Sequence, residues 1–502
     1  MTKNVLEALF LGIDVGTQGA RVIVVTAQGQ IVAETGQRFE PETGQGCPGY
    51  DSGRPLLPGW FEQSPQMWWQ AARAALCECV AILKKQGQDA RAIRAISVTS
   101  TSGTIVPLDE QKTPLRNAVM YNDGRAVQEA EAINQVSQAF QTRLGYAFNA
   151  SFALAKMLWL KQQRPKIFAS TSLFVHATDF IIGKLSGTYH LSDYSNALKS
   201  GYDLERYEWP AFIEHELGIP LEKLPQIVHP GTPITTVSGE CAAETGLAAN
   251  TPVVAGMTDG CTSQIASGAV KPGDWNSTLG TTLVIKGVTQ QLIADPLGRI
   301  YSHRHPEGCW MPGGASNVGG DCLEAHFSRA ELETLNASIV GRGPTNLLIY
   351  PLQKQAERFP INKSNISGFV LGTPTDRAER YQGYLEGVGF TERLAYDLLT
   401  QLGASVGETI YSAGGGSASR EWLQIRANIL NKTVVKPSHT GAAMGAAILA
   451  ASKTHFASLS EAASQMVTYA CRIEPETARC KEYDQKYQQF VAELQRRDYL
   501  DL

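Results

Sequence analysis

Residues 11–25 read LGIDVGTQGARVIVV: two apolar runs, Leu11 to Val15 and Val22 to Val25, on either side of the tight turn Gly16-Thr17-Gln18-Gly19. Short apolar runs joined by a glycine turn predict a buried β-hairpin, with Asp14 at the end of its first strand. Glycines let such a turn approach a ligand closely, and successive backbone N–H groups there form a nest for an anion. Thr17 adds a hydroxyl, and Asp14 is placed to hold a divalent cation beside the anion. Taken alone, the pattern is equally that of a hairpin carrying a surface aspartate.

A second copy stands about half the chain away. Residues 276–288, NSTLGTTLVIKGV, again set Gly-Thr between apolar β-branched runs, with Gly280, Thr281 and Thr282 at the turn. Two such hairpins suggest two related halves, each lending a loop to a nucleotide clamped between domains. A third element, Ser412-Ala413-Gly414-Gly415-Gly416, joins the strand-like ETIYSA to a segment in which Trp422, Ile425 and Ile429 recur at helical spacing. Most glycine runs are loops. In this order, after two phosphate-type turns, the run reads as an adenosine site, where a base or ribose lies on bare backbone.

The 502 residues are enough for two or three domains. Hydrophobic content of 43%, charged content of 18% and a net charge of −4 describe an ordinary globular protein without a nucleic-acid surface. Nine cysteines are an odd number and widely scattered, as in a reducing compartment. Cys77 and Cys79 fall two apart on an expected helix, where neighbours diverge, so they make a poor metal pair. The start, MTKNVLEALFLGID, lacks a long apolar stretch with a cleavage site, and no apolar run has membrane length. A cytoplasmic protein is expected.

Along the chain, residues 40–59 form a Gly/Pro-rich loop, and a helix is expected from Ser64-Pro65 to Lys85 before Gly87. The strand 92–100 ends in the polar turn Thr101-Ser102-Gly103-Thr104. A mostly helical stretch follows from about 126 to 185. VVAGMTDG (253–260) is a buried strand ending in Asp259, with a helix expected over 263–270. Gly441 and Gly445, four apart in HTGAAMGAAILAAS, allow close helix packing, and the charged last 50 residues suggest an exposed closing helix. Strands and helices mix throughout, so the fold class is α/β. The expected divisions are 8–270, 271–455 and a helical extension, 456–502.

Asp259 closes an apolar run between Gly256 and Gly260. A carboxylate there is costly to desolvate and has either a partner or a task. One reading is an N-cap for the following helix; the other is a general base toward a substrate hydroxyl. Phosphoryl transfer needs positioning, neutralised phosphate charge and a base near the nucleophile. The Thr17 and Thr281 loops, a metal near Asp14 and Asp259 supply a candidate for each.

In this order DVGTQGAR, YNDGR, VAGMTDG, TLGTT, AGGG and GAAMGAAILAA resemble the FGGY family of carbohydrate kinases over nearly the whole chain. Segments 187–202 and 301–320 are similar to its D-ribulose kinase branch. The resemblance implies two actin-like, ribonuclease H-like domains around a nucleotide- and sugar-binding cleft that takes ATP, Mg²⁺ and an open-chain sugar. It implies that Asp259 is the catalytic base and that Asp14 lies near metal and phosphate. Thr101, Ser102, Gly103 and Gly260 join these two carboxylates around the sugar. Gly16, Thr17, Gln18 and Arg21 form the first phosphate loop, and Gly280, Thr281 and Thr282 the second. Gly314, Gly415, Gly416, Ser419 and Trp422 fall on the nucleotide side. A homodimer is compatible with the family.

Three departures stand out. Xylulose kinases carry a Met-His pair in the sugar loop, where this chain reads Thr101-Ser102-Gly103-Thr104. That hydroxyl loop favours D-ribulose, phosphorylated on its terminal O5, over D-xylulose. Gln18 stands where many relatives have Ser, and Ala153 where Pro, Ser or Thr is usual near Lys156. Asp123 and Arg125 read either as substrate contacts or as an internal pair bracing the sugar loop. His303 and His305 read as a metal pair, a solvated face or structural residues, with the structural reading or solvated face favoured; His176 reads as structural and Asp193 as loop-stabilising. The rival readings are a kinase of another ketopentose or polyol (D-xylulose, L-ribulose, a tetritol), a non-catalytic actin-fold sensor, and a filament or chaperone ATPase. Intact Asp259 and Gly-Thr loops argue against the sensor, and residues 99–104 with the Asp259 segment argue against the ATPase.

Overall fold

The computed structural model describes residues 7–39 and 56–500. Most of the 40–59 loop expected from the sequence, and Cys47 within it, lies outside them. The chain gathers into two compact units. The first comprises residues up to Ala266 together with His303–Gly308 and Gly441–Val467; the second comprises Ser267–Ser302, Cys309–Thr440 and Thr468 onward. The units are therefore interleaved in sequence, whereas the reading from sequence alone cut the chain once, at 270, and set 456–502 apart.

The first unit is built on a six-stranded sheet in the order Pro233–Thr236, Pro252–Thr258, Ile93–Ser100, Leu9–Val15, Gly19–Thr26, Ile31–Arg38. Leu9–Val15, Ile93–Ser100 and Pro252–Thr258 run parallel, and the first is extended by two antiparallel hairpin strands. Alternation along Leu9–Val15 divides its two faces. Leu9, Leu11 and Ile13 enter a core with Trp68, Leu76 and Phe180. Gly12, on the other face, lies against the Ala442–Ala451 helix. A Cβ on Gly12 would stand 1.9 Å from the Ala443 carbonyl oxygen, so only glycine lets this helix reach the strand. Asp14 shares that face, two residues on.

The helix Pro65–Lys85 begins as the sequence signals: Ser64 accepts a hydrogen bond from the Met67 N–H, and Pro65 occupies the first turn. Cys77 is exposed and Cys79 buried on it, facing apart.

The second unit repeats the same strand logic within a seven-stranded sheet, ordered Tyr301–Arg304, Trp310–Ala315, Leu283–Gly287, Trp275–Leu279, Thr409–Ala413, Thr433–Pro437, Tyr469–Ile473. Trp275–Leu279 pairs antiparallel with Leu283–Gly287 and parallel with Thr409–Ala413, as Leu9–Val15 pairs with its own neighbours. Both Gly-Thr turns thus join the first and second strands of equivalent hairpins.

The C-terminal segment is not an exposed extension. Tyr469–Ile473 is the last strand of the second sheet, and Thr477–Arg496 is a helix that buries Tyr483, Tyr487, Phe490 and Leu494. Those four residues follow helical spacing, and apart from Lys486, which is buried and paired with Glu386, the charges lie off this stripe. Among the described residues no helix is long and apolar enough to cross a membrane.

Candidate active site

Three parallel strands of the first unit bring its polar residues together. Asp14 is paired with Thr99, Val15 with Ser100, and Thr258 with Ser100, so Asp14, the 101–104 turn and Asp259 emerge from adjacent strands at their carboxyl ends. In an open α/β sheet that edge is where ligands bind, because strand ends leave backbone groups and side chains facing one crevice.

Asp259 follows Pro252–Thr258 directly and opens the Asp259–Ser267 helix. The helix starts four residues earlier than the sequence suggested, so Asp259 belongs to its first turn and does not cap a later one. Its Oδ1 accepts the Gly260 N–H at 2.6 Å. Thr99, which the sequence reading passed over, ties the two strand ends: its hydroxyl donates to the Met257 carbonyl at 2.8 Å and meets the Thr262 hydroxyl at 2.9 Å.

Asp14 sits beside the Gly16–Gly19 turn, where Gly16 N–H donates to the Gly19 carbonyl. Burial pushes its carboxyl up to about 7 from an ordinary 3.8, the charge of Asp259 pushes the same way, and the Arg21 guanidinium opposes both. Asp14 Oδ1 is buried without a hydrogen-bond partner among the described residues. A desolvated, unsatisfied carboxylate oxygen beside a second carboxylate fits a hard cation. Mg²⁺ takes one or two protein carboxylates and fills its shell with phosphate oxygens and water.

The raised value has a sign. The folded protein keeps a proton that the unfolded chain releases above pH 4, so this carboxyl's contribution to stability is full below pH 4 and is lost as pH rises toward about 7. In divalent-free buffer, the decline in Tm between pH 5 and 7.5 is expected to be shallower for Asp14→Asn than for the parent. Parallel profiles would contradict the assignment.

Asp14, Gly16, Thr17, Gln18, Arg21 and Tyr121 line a cavity of about 670 Å³. Thr17 and Gln18 are exposed at its mouth. The turn is held from outside by Gln63, whose amide donates to the Thr17 carbonyl at 2.8 Å and accepts from the Trp68 indole. Gln63 gave no signal in the sequence, because its partner is 46 residues away.

In the 101–104 turn the hydroxyls of Thr101 and Thr104 bond each other at 2.9 Å, and Thr104 Oγ1 accepts the Tyr121 N–H. Ser102 Oγ is left buried without a partner among the described residues. Ser102 is thus the free hydroxyl of the turn, and Thr101 shapes it. Gly103 has φ +84°, and a Cβ there would meet the Ser151 carbonyl at 2.5 Å. Lys156, fully buried, donates to the carbonyls of Gly103 and Ser151, each at 2.9 Å. Its ammonium is held well below the usual lysine range by burial and by nearby Lys199. The missing Pro, Ser or Thr at Ala153 has not displaced that contact.

Asp123 and Arg125 do form the bracing pair expected of them, at 2.7 and 2.8 Å. The sequence did not reveal the remainder of the brace: Glu62 bridges Arg125 and Arg116, and the Arg125 guanidinium lies 3.9 Å from the Trp60 ring centroid. His176 is structural, joining Asp179 and Ser200 at 2.8 Å each. His305 accepts the Glu307 N–H, and burial holds its imidazole down to about 4.

In the second unit Gly280, Thr281 and Thr282 form the exposed hairpin turn. Gly414, with φ +84°, comes so close to Leu279 that a Cβ would stand 2.4 Å from its carbonyl oxygen. Gly416 packs equally tightly on the Leu279 side chain, while the Cβ direction of Gly415 is open. The glycine run and the second turn are therefore neighbours, with Gly415 the uncovered member. Ser419 caps the Arg420–Leu430 helix through the Trp422 N–H and also donates to Asn336. Trp422 is buried in the core with its indole N–H on the Leu385 carbonyl, so it supports the segment from beneath and offers no face to a ligand. Gly314 is fixed by packing, since a Cβ would meet the Phe359 ring at 2.6 Å. Gly319 and Gly320, missed in the sequence, press directly on Thr281 and Gly280.

The chain matches two family models: the N-terminal domain of the FGGY family of carbohydrate kinases over residues 9–266, and its C-terminal domain over 275–454. The chain belongs to the FGGY family of carbohydrate kinases. A xylulose kinase of Bacillus subtilis (strain 168) is 29% identical, covering 94% of each chain, and a gluconokinase of the same organism is 25% identical, covering 95% of this chain and 94% of the relative. Among solved structures, the protein described as a xyloylose kinase from Brucella ovis aligns with TM-score 0.86 at 26% identity, over 98% of this chain and 100% of the other. The xylulose kinase from Rhodospirillum rubrum aligns with TM-score 0.84 at 26% identity, over 97% and 98%. The two-unit α/β architecture of this FGGY kinase is accordingly the actin-like fold of its relatives.

Proposed function

We propose that this FGGY kinase transfers the γ-phosphate of ATP to the terminal O5 hydroxyl of a ketopentose, with D-ribulose the favoured sugar. The observation that carries the reading is the alignment of Asp14, the Ser102 turn and Asp259 on three adjacent strand ends. Xylulose kinases among the relatives support the ketopentose class. The Thr101–Thr104 loop, which lacks the Met-His pair of xylulose kinases, supports D-ribulose within it.

The sugar lies against the 101–104 turn, with its chain hydroxyls on Ser102 and its terminal hydroxyl on Asp259. Each unit contributes its own Gly-Thr turn as a candidate phosphate loop, Gly16–Gly19 in the first and Gly280–Thr282 in the second. The glycine run beside Leu279 in the second unit is the candidate adenosine segment. Asp14 would hold Mg²⁺, which would supply neutralisation of phosphate charge. The sugar oxygen attacks the γ-phosphorus, the bond from phosphorus to the bridging oxygen breaks, and ADP leaves. A carboxylate is too weak a base to ionise an alcohol beforehand, so Asp259 accepts the proton as the new P–O bond acidifies the hydroxyl.

Ser102→Ala removes one neutral hydrogen bond and is expected to raise the sugar KM on the order of 3- to 10-fold, with the ATP KM unchanged. An effect on ATP alone would move the sugar contact elsewhere. Specificity is tested by ADP release with MgATP over D-ribulose, D-xylulose, L-ribulose, gluconate, ribitol, erythritol and glycerol. A kcat/KM for D-ribulose at least about 10-fold above the others supports the proposal, since that is roughly 1.4 kcal/mol of transition-state discrimination. Preference for D-xylulose or gluconate keeps the mechanism and overturns the sugar.

A further inference from the structure

A buried polar network below the site links both of its sugar-facing strand ends. It starts at Asp193, which ends the Leu191–Asp193 strand and precedes the Tyr194–Ala197 turn of helix. Asp193 Oδ1 accepts the Ser195 N–H at 2.8 Å, the Ser195 hydroxyl at 2.6 Å and the Asn196 N–H at 3.0 Å; Oδ2 accepts the Asn196 side-chain amide at 2.6 Å. Read from sequence, Asp193 is a loop-stabilising residue. Its contacts reach further.

The carboxylate fixes the direction of the hydrogen bonds made by Ser195 and Asn196. A hydroxyl has one hydrogen, and Ser195 gives its own to Asp193. The Ser195 lone pairs are then free to accept the Thr258 N–H, which lies 3.0 Å away. Thr258 is the last residue before Asp259. On the other branch, the Asn196 amide, oriented by Oδ2, points a second N–H at Thr178 Oγ1, 3.4 Å away. The Thr178 hydroxyl meets Ser100 Oγ at 2.7 Å. Ser100 is the last residue before the 101–104 turn. Asp193, Ser195, Asn196, Thr178 and Ser100 are all buried.

We propose that Asp193 is a positioning residue for the kinase reaction, setting Asp259 through Ser195 and the sugar turn through Asn196 and Thr178. The proposal rests on the reading of Asp259 as base and of residues 101–104 as the sugar turn. The two arms diverge, so they make a prediction that general support of the fold does not. The Ser195 arm ends at the proton acceptor and governs kcat. The Thr178 arm ends at the sugar contact and governs KM.

The test is steady-state kinetics of the full chain with MgATP and D-ribulose, repeated with D-xylulose, with the Tm of each variant measured alongside. Ser195→Ala is expected to lower kcat by about 10- to 100-fold, as a displaced catalytic group does, with the sugar KM within about twofold. Thr178→Val is expected to raise the sugar KM by about 3- to 10-fold, with kcat within about twofold. Asp193→Ala, which removes both acceptor oxygens, combines both losses. Ser195→Cys, close in volume and a weaker acceptor, shows the kcat-selective loss at smaller amplitude and replaces Ser195→Ala should that one not fold. Equal changes in kcat and KM in both single-arm variants, or full activity in both, overturn the proposal. Asp259→Asn run in parallel separates the two levels. If it is inactive while Ser195→Ala keeps its kcat, only the positioning role falls; if it turns over normally, the base assignment falls and the proposal with it.

Discussion

Asp259→Asn is expected to lower kcat by roughly 10²–10⁴-fold while ATP still binds, the range a lost general base produces. The substitution is close to isosteric, and the Asn side-chain oxygen still accepts the Gly260 N–H that Oδ1 accepts now at 2.6 Å. Packing at the start of the Asp259–Ser267 helix therefore survives, and the loss reports proton acceptance. A second consequence follows from charge. Asp259 helps raise the Asp14 carboxyl, so its removal lowers that group toward the ordinary carboxylate range. Turnover and ATP affinity, measured on one preparation, check the expectation. Retained kcat would remove Asp259 from the chemistry.

Glu392→Gln is expected to destabilise the second unit by about 3–5 kcal/mol, the cost of leaving one member of a buried ion pair alone. Arg426 and Glu392 are fully buried and joined by two hydrogen bonds of 2.7 Å. The third arm of the guanidinium donates to Ser412 Oγ at 2.6 Å; Ser412 bonds Ser417, which donates to the Ala413 carbonyl. The ion pair therefore stands directly under the Gly414–Gly416 run. Loss of the pair should lower the urea midpoint and also raise the ATP KM. The double replacement Glu392→Leu with Arg426→Met leaves no uncompensated charge and should recover much of the stability. It should not recover the ATP KM, because Ser412 stays unheld. A single variant as stable as the parent would contradict this account of the loop's support.

Both Gly-Thr hairpins, the strand before Asp259 and the strand–glycine–helix order at 409–430 were legible in the sequence, because each rests on local alternation and turn chemistry. Gly445 was legible too: a Cβ there would lie 1.8 Å from the Thr262 carbonyl oxygen. Gly441 was not part of that contact, since nothing lies within 4 Å of its Cβ direction. What local pattern could not show was long-range pairing. Gln63 on Thr17, Thr99 on Thr262, Ser195 on Thr258 and Gly319 against Thr281 join residues of ordinary type across tens of positions or more. The interleaving of the units was hidden for the same reason, since 441–467 continues the second unit's chain and packs with the first. Trp422 was set on the nucleotide side by resemblance to the family, whereas its side chain belongs to the core of the second unit. The last helix misled through its charges, although its buried stripe was present at 483, 487, 490 and 494.

The most direct test of the central claim is the product itself. D-Ribulose and MgATP are incubated with the protein, and the mixture is followed by ³¹P NMR. The account predicts a phosphate monoester coupled to a terminal CH₂, growing in step with ADP and absent when sugar is omitted. Inorganic phosphate released with or without sugar, or no phosphate ester with any ketopentose, would contradict it.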